Sequence, residues 1–509
     1  MKSIYNNPSE LEKSAKEKYC FPDYIMMENA ASAMEIVVDS VIQDCKQKIL
    51  QILIVCGAGN NGADGLALAR RLHSKYEVQV LLLAQPKTNE GKTQYLMSQK
   101  VGVNFLTQDD FSDFRAESDC FIIIDCIFGT GFHGNLPADI AKIIEKLNSF
   151  PNAIRIACDI SSGLKFNSDI TVTMGSLKTS LFSDEAKNVS GKIFIADLGI
   201  GHADFEKCLS TDTFLLEQCD TNLPFRKEKS SHKGKFGHAC IFAGEKSGAA
   251  ILAAEAALAF GAGLVSLIKS ENSNLAQFKI SPYLMVSKEI PAKTTAILLG
   301  SGLGPEQACE NAANFLTSWF TSNKQNADPK TGPACVLDAD MMSYPKLKEL
   351  LTKLNSIENA RIIITPHLKE LSSFCSICGL GTYSVSELSS IETRRQIGLK
   401  AAELFPRTAI IMKSANSLIS VPTFNSESTN SFCEFFVCAD GNQSLAKAGS
   451  GDVLAGLCVS LLAQGYDIKK AAIAACESHA LASEYDSNGN TLCSEDFSLT
   501  AQSLIKNLL

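Results

Sequence analysis

Short uninterrupted aliphatic runs, each followed by a loop of glycine, aspartate or other small polar residues, constrain this chain more than any other feature. Ile49–Cys56, Val78–Leu83, Cys120–Asp125 and Ile154–Cys158 in the first half show it, as do Ala239–Ala243, Ala296–Leu299, Ala334–Leu337, Arg361–Ile364 and Ala409–Met412 in the second. A strand that meets water on one face alternates polar and apolar residues; a continuous run suits a strand covered on both faces, as in a parallel sheet. The helical spacing of Ile25, Met26, Ala30, Ala33, Met34, Val37, Val38 and Val41 predicts helices ahead of the first sheet. The loops that follow the strands then share one edge of each sheet, where doubly wound folds take their ligands. The expected class is α/β with two doubly wound domains. At 509 residues the chain is too long for one core. The polar, basic stretch Thr221–Gly237 reads as the linker, which gives domains 1–220 and 221–509.

The composition is that of an ordinary globular protein, 45% hydrophobic and 20% charged, and the formal net charge of −8 gives no electrostatic reason to expect nucleic acid or anionic membrane. Met1–Glu10 is polar, and the longest apolar run, Ala249–Val265, is broken by Glu255 and is short for a membrane span. The expectation is a soluble cytoplasmic protein that acts on small molecules. Most of the 18 cysteines, such as Cys56, Cys126, Cys158 and Cys240, lie in or beside aliphatic runs like small core residues, so they are expected to be reduced. Cys375 and Cys378 form one C-x-x-C without a second pair, weak evidence for zinc.

Within the second half, "GNQSLAKAGSGDVLAG" (Gly441–Gly456) carries the most chemistry. Gly449, Ser450 and Gly451 let backbone N–H groups approach an anion at the start of a helix running from about Val453 to Leu462, and Asp452 sits in its first turn. A carboxylate there would repel a phosphate unless it aims at a substrate hydroxyl, which is the posture of a general base. The bare tripeptide equally fits a turn with an aspartate cap. In the first half the run into "GAGNNGADG" (Gly57–Gly65) makes a strand, glycine loop and helix, with the helix expected from Leu66 to Leu72. Two later strands deliver Asp125 in "DCIFGTG" and Asp159 in "DISSGL". Three strand ends thus converge, although one such aspartate alone is commonly a turn or cap residue.

These segments, with "MMENAASAM" (Met26–Met34), "ITVTMGSLK" (Ile170–Lys178) and "GKIFIADLGI" (Gly191–Ile200), resemble the epimerase domain of the NAD(P)H-hydrate repair enzymes. That resemblance implies a Rossmann-like domain binding the damaged nicotinamide nucleotide through Asn60, Asn61, Gly62, Ala63 and Asp64, through Gly129, Thr130, Gly131, Phe132, His133, Gly134 and Asn135, and through Asp159, its catalytic residue. It implies K+ held by Asn61, Asp125 and Ser162, all hard oxygen donors. Ala31 and Ala63 stand where the family has glycine, and "SLKTSL" (Ser176–Leu181) replaces a proline-containing segment. A methyl at Ala63 could narrow the loop or forbid a positive φ, yet the first half is expected to interconvert the hydrate epimers despite it.

The second half resembles the ribokinase-like superfamily, and within it the ADP-dependent NAD(P)H-hydrate dehydratases, through "HKGKFG", "DAD", "TPHLKE" and the Gly441–Gly456 loop. The resemblance implies that Ala249, Gly302, His367 and Asp452 contact the hydrate, with Asp452 catalytic. It further implies that Lys413, Ser414, Ala415, Asn416, Ser417, Gly449 and Gly451 contact ADP or ATP, with Mg2+ as companion. Ser301 stands for the proline of Gly-Pro-Gly-Leu-Gly, and Ser414 for the glycine after Lys413. His367 and Lys413 also fit a loop histidine and a solvated lysine. Hydrated NADH or NADPH and ADP are the expected small-molecule partners, with further copies of the chain as a homo-oligomer. The competing reading is another ribokinase-like kinase whose first half binds a ligand without catalysis.

Overall fold

The computed structural model describes residues 1–45, 51–114, 121–132, 134–226, 228–323, 332–423, 432–484 and 505–506. Ile49, Leu50, Cys120 and His133 lie outside the described residues. The chain divides into two compact units, Ser3–Thr211 and Asp212–Leu509, the latter joined by Met1–Lys2. The division falls at Thr211, upstream of the basic stretch expected as the linker.

In the first unit, β1 (Gln51–Cys56), β2 (Glu77–Leu82), β3 (Asn104–Leu106), β4 (Phe121–Cys126), β5 (Ala153–Cys158), β6 (Ile170–Met174) and β7 (Lys192–Ala196) form a parallel sheet in the order β3-β2-β1-β4-β5-β6-β7. The winding reverses between β1 and β4, so their carboxyl ends open the crevice in which such folds bind ligands. Both strands are buried along their whole length, as their unbroken aliphatic runs require. Helices α1 (Pro8–Tyr19) and α2 (Asp23–Asp44) precede the sheet. Helix α3 spans Asn60–Leu72, so it begins inside the segment expected to be a loop, and only Gly57–Gly59 remain a connection. Its close seat on β1 and β4 needs glycine, since a Cβ on Gly65 would stand 2.8 Å from the Cys56 and Cys126 sulfurs. A short parallel pair, Lys2–Tyr5 with Leu177–Lys178, sets Tyr5 opposite Lys178.

The second unit contains β8 (Thr213–Leu215), β9 (His238–Ala243), β10 (Leu264–Lys269), β11 (Met285–Ser287), β12 (Ala296–Leu299), β13 (Ala334–Leu337), β14 (Arg361–Ile364), β15 (Thr408–Met412), β16 (Ser417–Thr423) and β17 (Phe432–Cys438), in the order β11-β10-β9-β12-β13-β14-β15-β16-β17-β8. The strands from β11 to β15 pair in parallel, whereas β15-β16-β17 is an antiparallel meander that the sequence reading missed. Residues 413–416 are therefore a hairpin turn. Helices α4 (Ser247–Ala259), α5 (Leu368–Cys378), α6 (Ile391–Leu404), α7 (Ser450–Ala463) and α8 (Ile468–Leu481) position the site. Every residue of α7 from Val453 to Ala463 is buried, as befits a helix apolar all round. Gly456 lets it approach α4, because a Cβ there would lie 2.3 Å from the Ala253 carbonyl oxygen. The described cysteines are free and mostly buried, and among the described residues no helix is long and apolar enough to cross a membrane.

Candidate active sites

In the first unit the predicted residues gather at the ends of β1, β4 and β5. Asp159, just past β5, has a left-handed backbone (φ 69°) and is buried. Its Oδ2 accepts the Thr130 N–H at 3.1 Å, its Oδ1 accepts the Met174 N–H at 3.3 Å, and the Lys178 ammonium pairs with Oδ1. Lys178 donates also to Thr173 Oγ1 at 3.0 Å. Burial pushes the Asp159 carboxyl up, but Lys178 and the two amides outweigh it and hold the pKa below its ordinary value. Asp159 is thus an ionised, pre-aimed carboxylate at neutral pH. Burial, and then the charges of Asp159 and Glu12, push Asp64 well above the carboxylate range. Glu12, Lys16, Asn60, Asp64, Glu90 and Met174 line a cavity of roughly 90 Å3.

Gly129 holds the second loop against this cluster, since a Cβ there would fall 2.9 Å from Asp159 Oδ2 and 3.5 Å from the Asn61 side chain. Thr130, Gly131, Phe132, Gly134 and Asn135 continue outward at the rim, where the Phe132 ring stacks on Phe128 at 4.2 Å. Asp125 is wholly buried; its Oδ1 accepts the Ser162 hydroxyl at 2.7 Å and its Oδ2 the Ser162 N–H at 2.8 Å. Burial raises its pKa to about 6 in spite of those bonds. The Asn61 amide is buried and both of its polar atoms lack a partner. An orphaned buried amide marks a place that a ligand completes, and with Asp125 and Ser162 it offers the oxygen-rich donors that K+ accepts. These residues fit that ion.

At two residues the structure supplies what the sequence left open. Ala63 lies in the first turn of α3 with a helical backbone, and its methyl is 1% exposed within the hydrophobic core, so it neither narrows a ligand loop nor strains one. Gly62 is the intolerant position there: a Cβ would stand 1.9 Å from the Gly57 carbonyl oxygen. Lys178 ends the resembling segment Ile170–Lys178 and is given no role in the sequence reading, yet it is buried and supplies the counter-charge of Asp159. A lysine beside buried Leu177 was the available signal.

In the second unit the connection within Gly441–Gly456 ends with Gly449 in a left-handed conformation (φ 92°) that caps α7. A Cβ on Gly451 would sit 3.4 Å from Lys413 Nζ, so the Gly449–Gly451 turn and the lysine are neighbours. Lys413 Nζ donates to Asp338 Oδ1 at 3.1 Å, and Thr365 Oγ1 donates to the same oxygen at 2.7 Å. Burial would lower the Lys413 pKa, but Asp338 and Glu370 prevail and keep the ammonium charged. Asp452 points into this group, and burial followed by the Asp338 charge raises its pKa to about 6.

His367 is joined to Lys413 by a parallel bridge and caps α5: its Nδ1 accepts the Glu370 N–H at 3.1 Å, and Nε2 faces Glu370 Oε1 at 3.1 Å. The half-exposed ring is thus a helix cap first. Gly302 (φ 71°) lies over the Lys246 carbonyl, and Ala249 follows in the first turn of α4, its N–H bonded to that carbonyl at 3.1 Å. Lys413, Ser414, Ala415 and Asn416 form the hairpin turn that leads into Ser417 and β16. Fully buried Arg394 of α6 shapes that turn, donating to Ser414 Oγ at 2.6 Å and the Asn416 carbonyl at 2.9 Å. His479 of α8 anchors α7 through the Ser450 carbonyl at 2.8 Å, and burial lowers its pKa to about 4. Nothing in the sequence pattern singled out Arg394 or His479.

Comparison with known proteins bears on both units. The family model described as NAD(P)H-hydrate dehydratase matches residues 239–506, and the one described as YjeF-related protein N-terminus matches residues 23–180. The bifunctional NAD(P)H-hydrate repair enzyme of Helicobacter pylori is 34% identical over 504 residues, 96% of this chain and 97% of its own length. Those of Moorella thermoacetica and Dictyoglomus turgidum are each 29% identical and cover 90% and 91% of this chain, at 87% and 89% of their own lengths. With both sites built on matched segments and a relative above 30% identity spanning nearly the whole chain, this chain belongs to the bifunctional NAD(P)H-hydrate repair enzymes.

Proposed function

We propose that this chain, a bifunctional NAD(P)H-hydrate repair enzyme, works through two carboxylates. Asp159 exchanges a proton with the hydrate while the R and S forms interconvert, and Asp452 serves the ADP- or ATP-dependent dehydration of the S form. The observation that carries this is the placing of Asp452, in the first turn of α7 beside Gly449–Gly451 and opposite Lys413.

The hydrate holds a hydroxyl on C6 of its nicotinamide ring, and hydroxide leaves poorly at neutral pH. Asp452 takes the hydroxyl proton as the oxygen attacks the terminal phosphoryl group of the nucleotide, whose bond to its bridging oxygen breaks. The Gly449–Gly451 amides and Lys413 stabilise the charge that gathers on the phosphoryl oxygens. Phosphate then departs from C6 with the electron pair of that C–O bond, the ring nitrogen assists, and loss of a C5 proton restores the dihydronicotinamide. Asp338 accepts from Thr365 and Lys413 and Asp340 from the Gly304 N–H; Mg2+, when bound with the nucleotide, would supply further positive charge for the phosphoryl oxygens. The Lys413–Ser417 turn receives the nucleotide, and Ala249, Gly302 and His367 receive the hydrate.

In the first unit Asn60–Asp64 and Gly129–Asn135 hold the hydrate against Asp159. Asn61, Asp125 and Ser162 would hold K+, whose positive charge would favour the ionised form of buried Asp125. The cell compartment is the cytoplasm and the assembly a homo-oligomer. The test is incubation of the full chain with mixed hydrate epimers, with and without ADP, following absorbance of the restored dihydronicotinamide. Recovery is expected only with nucleotide; equal recovery without it rules out phosphoryl transfer.

A further inference from the structure

The hydrated cofactor is a dinucleotide. Its reacting ring lies with Asp452, so its adenosine half, joined through a pyrophosphate, needs a place of its own. In the second sheet the winding reverses between β9 and β12, and ligands of such folds enter at the carboxyl ends of those strands. A cavity of roughly 820 Å3 lies there, lined from the ends of β9 and β10 and from the segment after β12. It adjoins the Gly302 loop: Asn272, in its wall, donates to the Leu303 carbonyl at 2.8 Å, and Pro305, which follows Gly304, lines it as well. A cavity of this size takes a mononucleotide.

Its lining carries the chemistry that an adenosine phosphate requires. Lys269 ends β10 and Lys288 follows β11; because Ile268 pairs with Ser287, the two lysines stand at neighbouring strand ends. Both are exposed, and among the described residues neither forms an ion pair, although the chain as a whole has a formal net charge of −8. Glu271 is the only acidic residue of the lining, so positive charge prevails. On the helix Glu306–Asn323, Phe315 is 53% exposed with its ring 6.2 Å from that of buried Phe242, and Asn311 and Asn314 add side-chain amides. A large ring left half in water and backed by a second ring is a stacking surface for a purine, whose polar edge the amides can read.

We propose that this cavity holds the adenosine half of the hydrate, with the adenine on Phe315 and the ribose 2′-phosphate on Lys269 and Lys288, and that it makes the dehydratase favour hydrated NADPH over hydrated NADH. The 2′-phosphate is the one group that separates the two substrates. It is a dianion or close to one at neutral pH, whereas the hydroxyl of NADH leaves the two ammonium groups without a counter-charge. No bond forms or breaks in the cavity, which binds and orients. The inference rests on the reading of Asp452 as the base, since that reading puts the reacting ring beside the Gly302 loop.

The experiment measures initial rates of ADP-dependent dehydration by the full chain on the S hydrates of NADPH and NADH, for wild type, the double variant Lys269→Ala with Lys288→Ala, and Phe315→Ala. Wild type should have the lower KM for hydrated NADPH. The lysine variant should raise that KM by about tenfold or more with kcat within about twofold, and should move KM for hydrated NADH by less than about twofold. Phe315→Ala should raise both KM values by a like factor, because both substrates carry the adenine. A wild type without that preference, or a lysine variant whose two KM values stay put or rise together, overturns the inference. So does a Phe315→Ala chain that leaves both KM values unmoved or changes its oligomeric state in their place. A wild-type chain without nucleotide-dependent activity overturns the Asp452 reading itself, so the two failures are distinguishable.

Discussion

Two carboxylates in this chain, Asp159 buried and Asp452 partly so, are pushed in opposite directions by their neighbours. Asp159 has an ammonium, Lys178, in contact and two backbone amides aimed at it, so it stays ionised well into the acid range. Asp452 has Lys413 nearby but also Asp338 and Asp340, and burial is the largest influence on it. A base must be deprotonated to act, so dehydration should fall as pH drops through about 6, while epimerisation persists to lower pH. Asp452→Asn keeps the shape and the Gly449–Gly451 amides but removes the base; dehydration should fall by roughly 10²–10⁴-fold with nucleotide affinity little changed. Calorimetric titration with ADP beside the rate assay checks this, and a variant that keeps more than about a tenth of the rate takes Asp452 out of the proton transfer.

At the scale of elements, Ala63 shows how packing overrides a residue-by-residue reading. Asn60–Asp64 is built of residues that favour turns, yet it forms the first turn of α3, because the Ala63 methyl is buried in the core and Gly62 and Gly65 allow backbone and strand to close around it. Ala63→Gly, which restores the family residue, should therefore not speed epimerisation. It should cost about 1–2 kcal/mol of stability, from added backbone freedom and a lost buried methyl. Chromatographic conversion of pure R hydrate and a denaturant melt read both effects; a faster Ala63→Gly enzyme would mean that the methyl touches the ligand after all. The strands Ala296–Leu299, Ala334–Leu337 and Arg361–Ile364 were legible residue for residue, because strands buried on both faces read as continuous apolar runs, broken only by Arg361 at the start of the third. The meander β15-β16-β17 was not, because Lys413–Ser417 reads as a polar loop and Pro422 argues against a strand, whereas the pairing of Met412 with Leu418 makes it a hairpin.

Across the molecule, each unit carries its own sheet, its own switch point and its own carboxylate, and the division of labour can be tested on the full chain. Given mixed epimers and ADP, wild type should restore all of the hydrate. Asp159→Ala should stop after the S fraction, apart from uncatalysed exchange, and Asp452→Asn should restore none while still equilibrating R with S. Chiral separation of the remaining hydrate reads the result. An Asp159→Ala chain that consumes R as fast as wild type would leave the first unit without a catalytic role.

The sequence alone determined the parallel part of each sheet, because a strand covered on both faces must be apolar throughout, and it singled out the loops at the strand ends, because several glycine- and aspartate-bearing loops converge on one sheet edge. It also placed Asp125, Asp159 and Lys413 at strand ends and Asp452 in the first turn of a helix behind its glycine loop. Only the tertiary structure decided what surrounds them. Lys178, Arg394, Ser301 and His479 come from distant segments, and contact between residues far apart in the chain leaves no periodic trace in sequence. The charge state of each carboxylate was settled in the same way, since burial and the nearest ammonium or carboxylate, not residue type, separate Asp159 from Asp452.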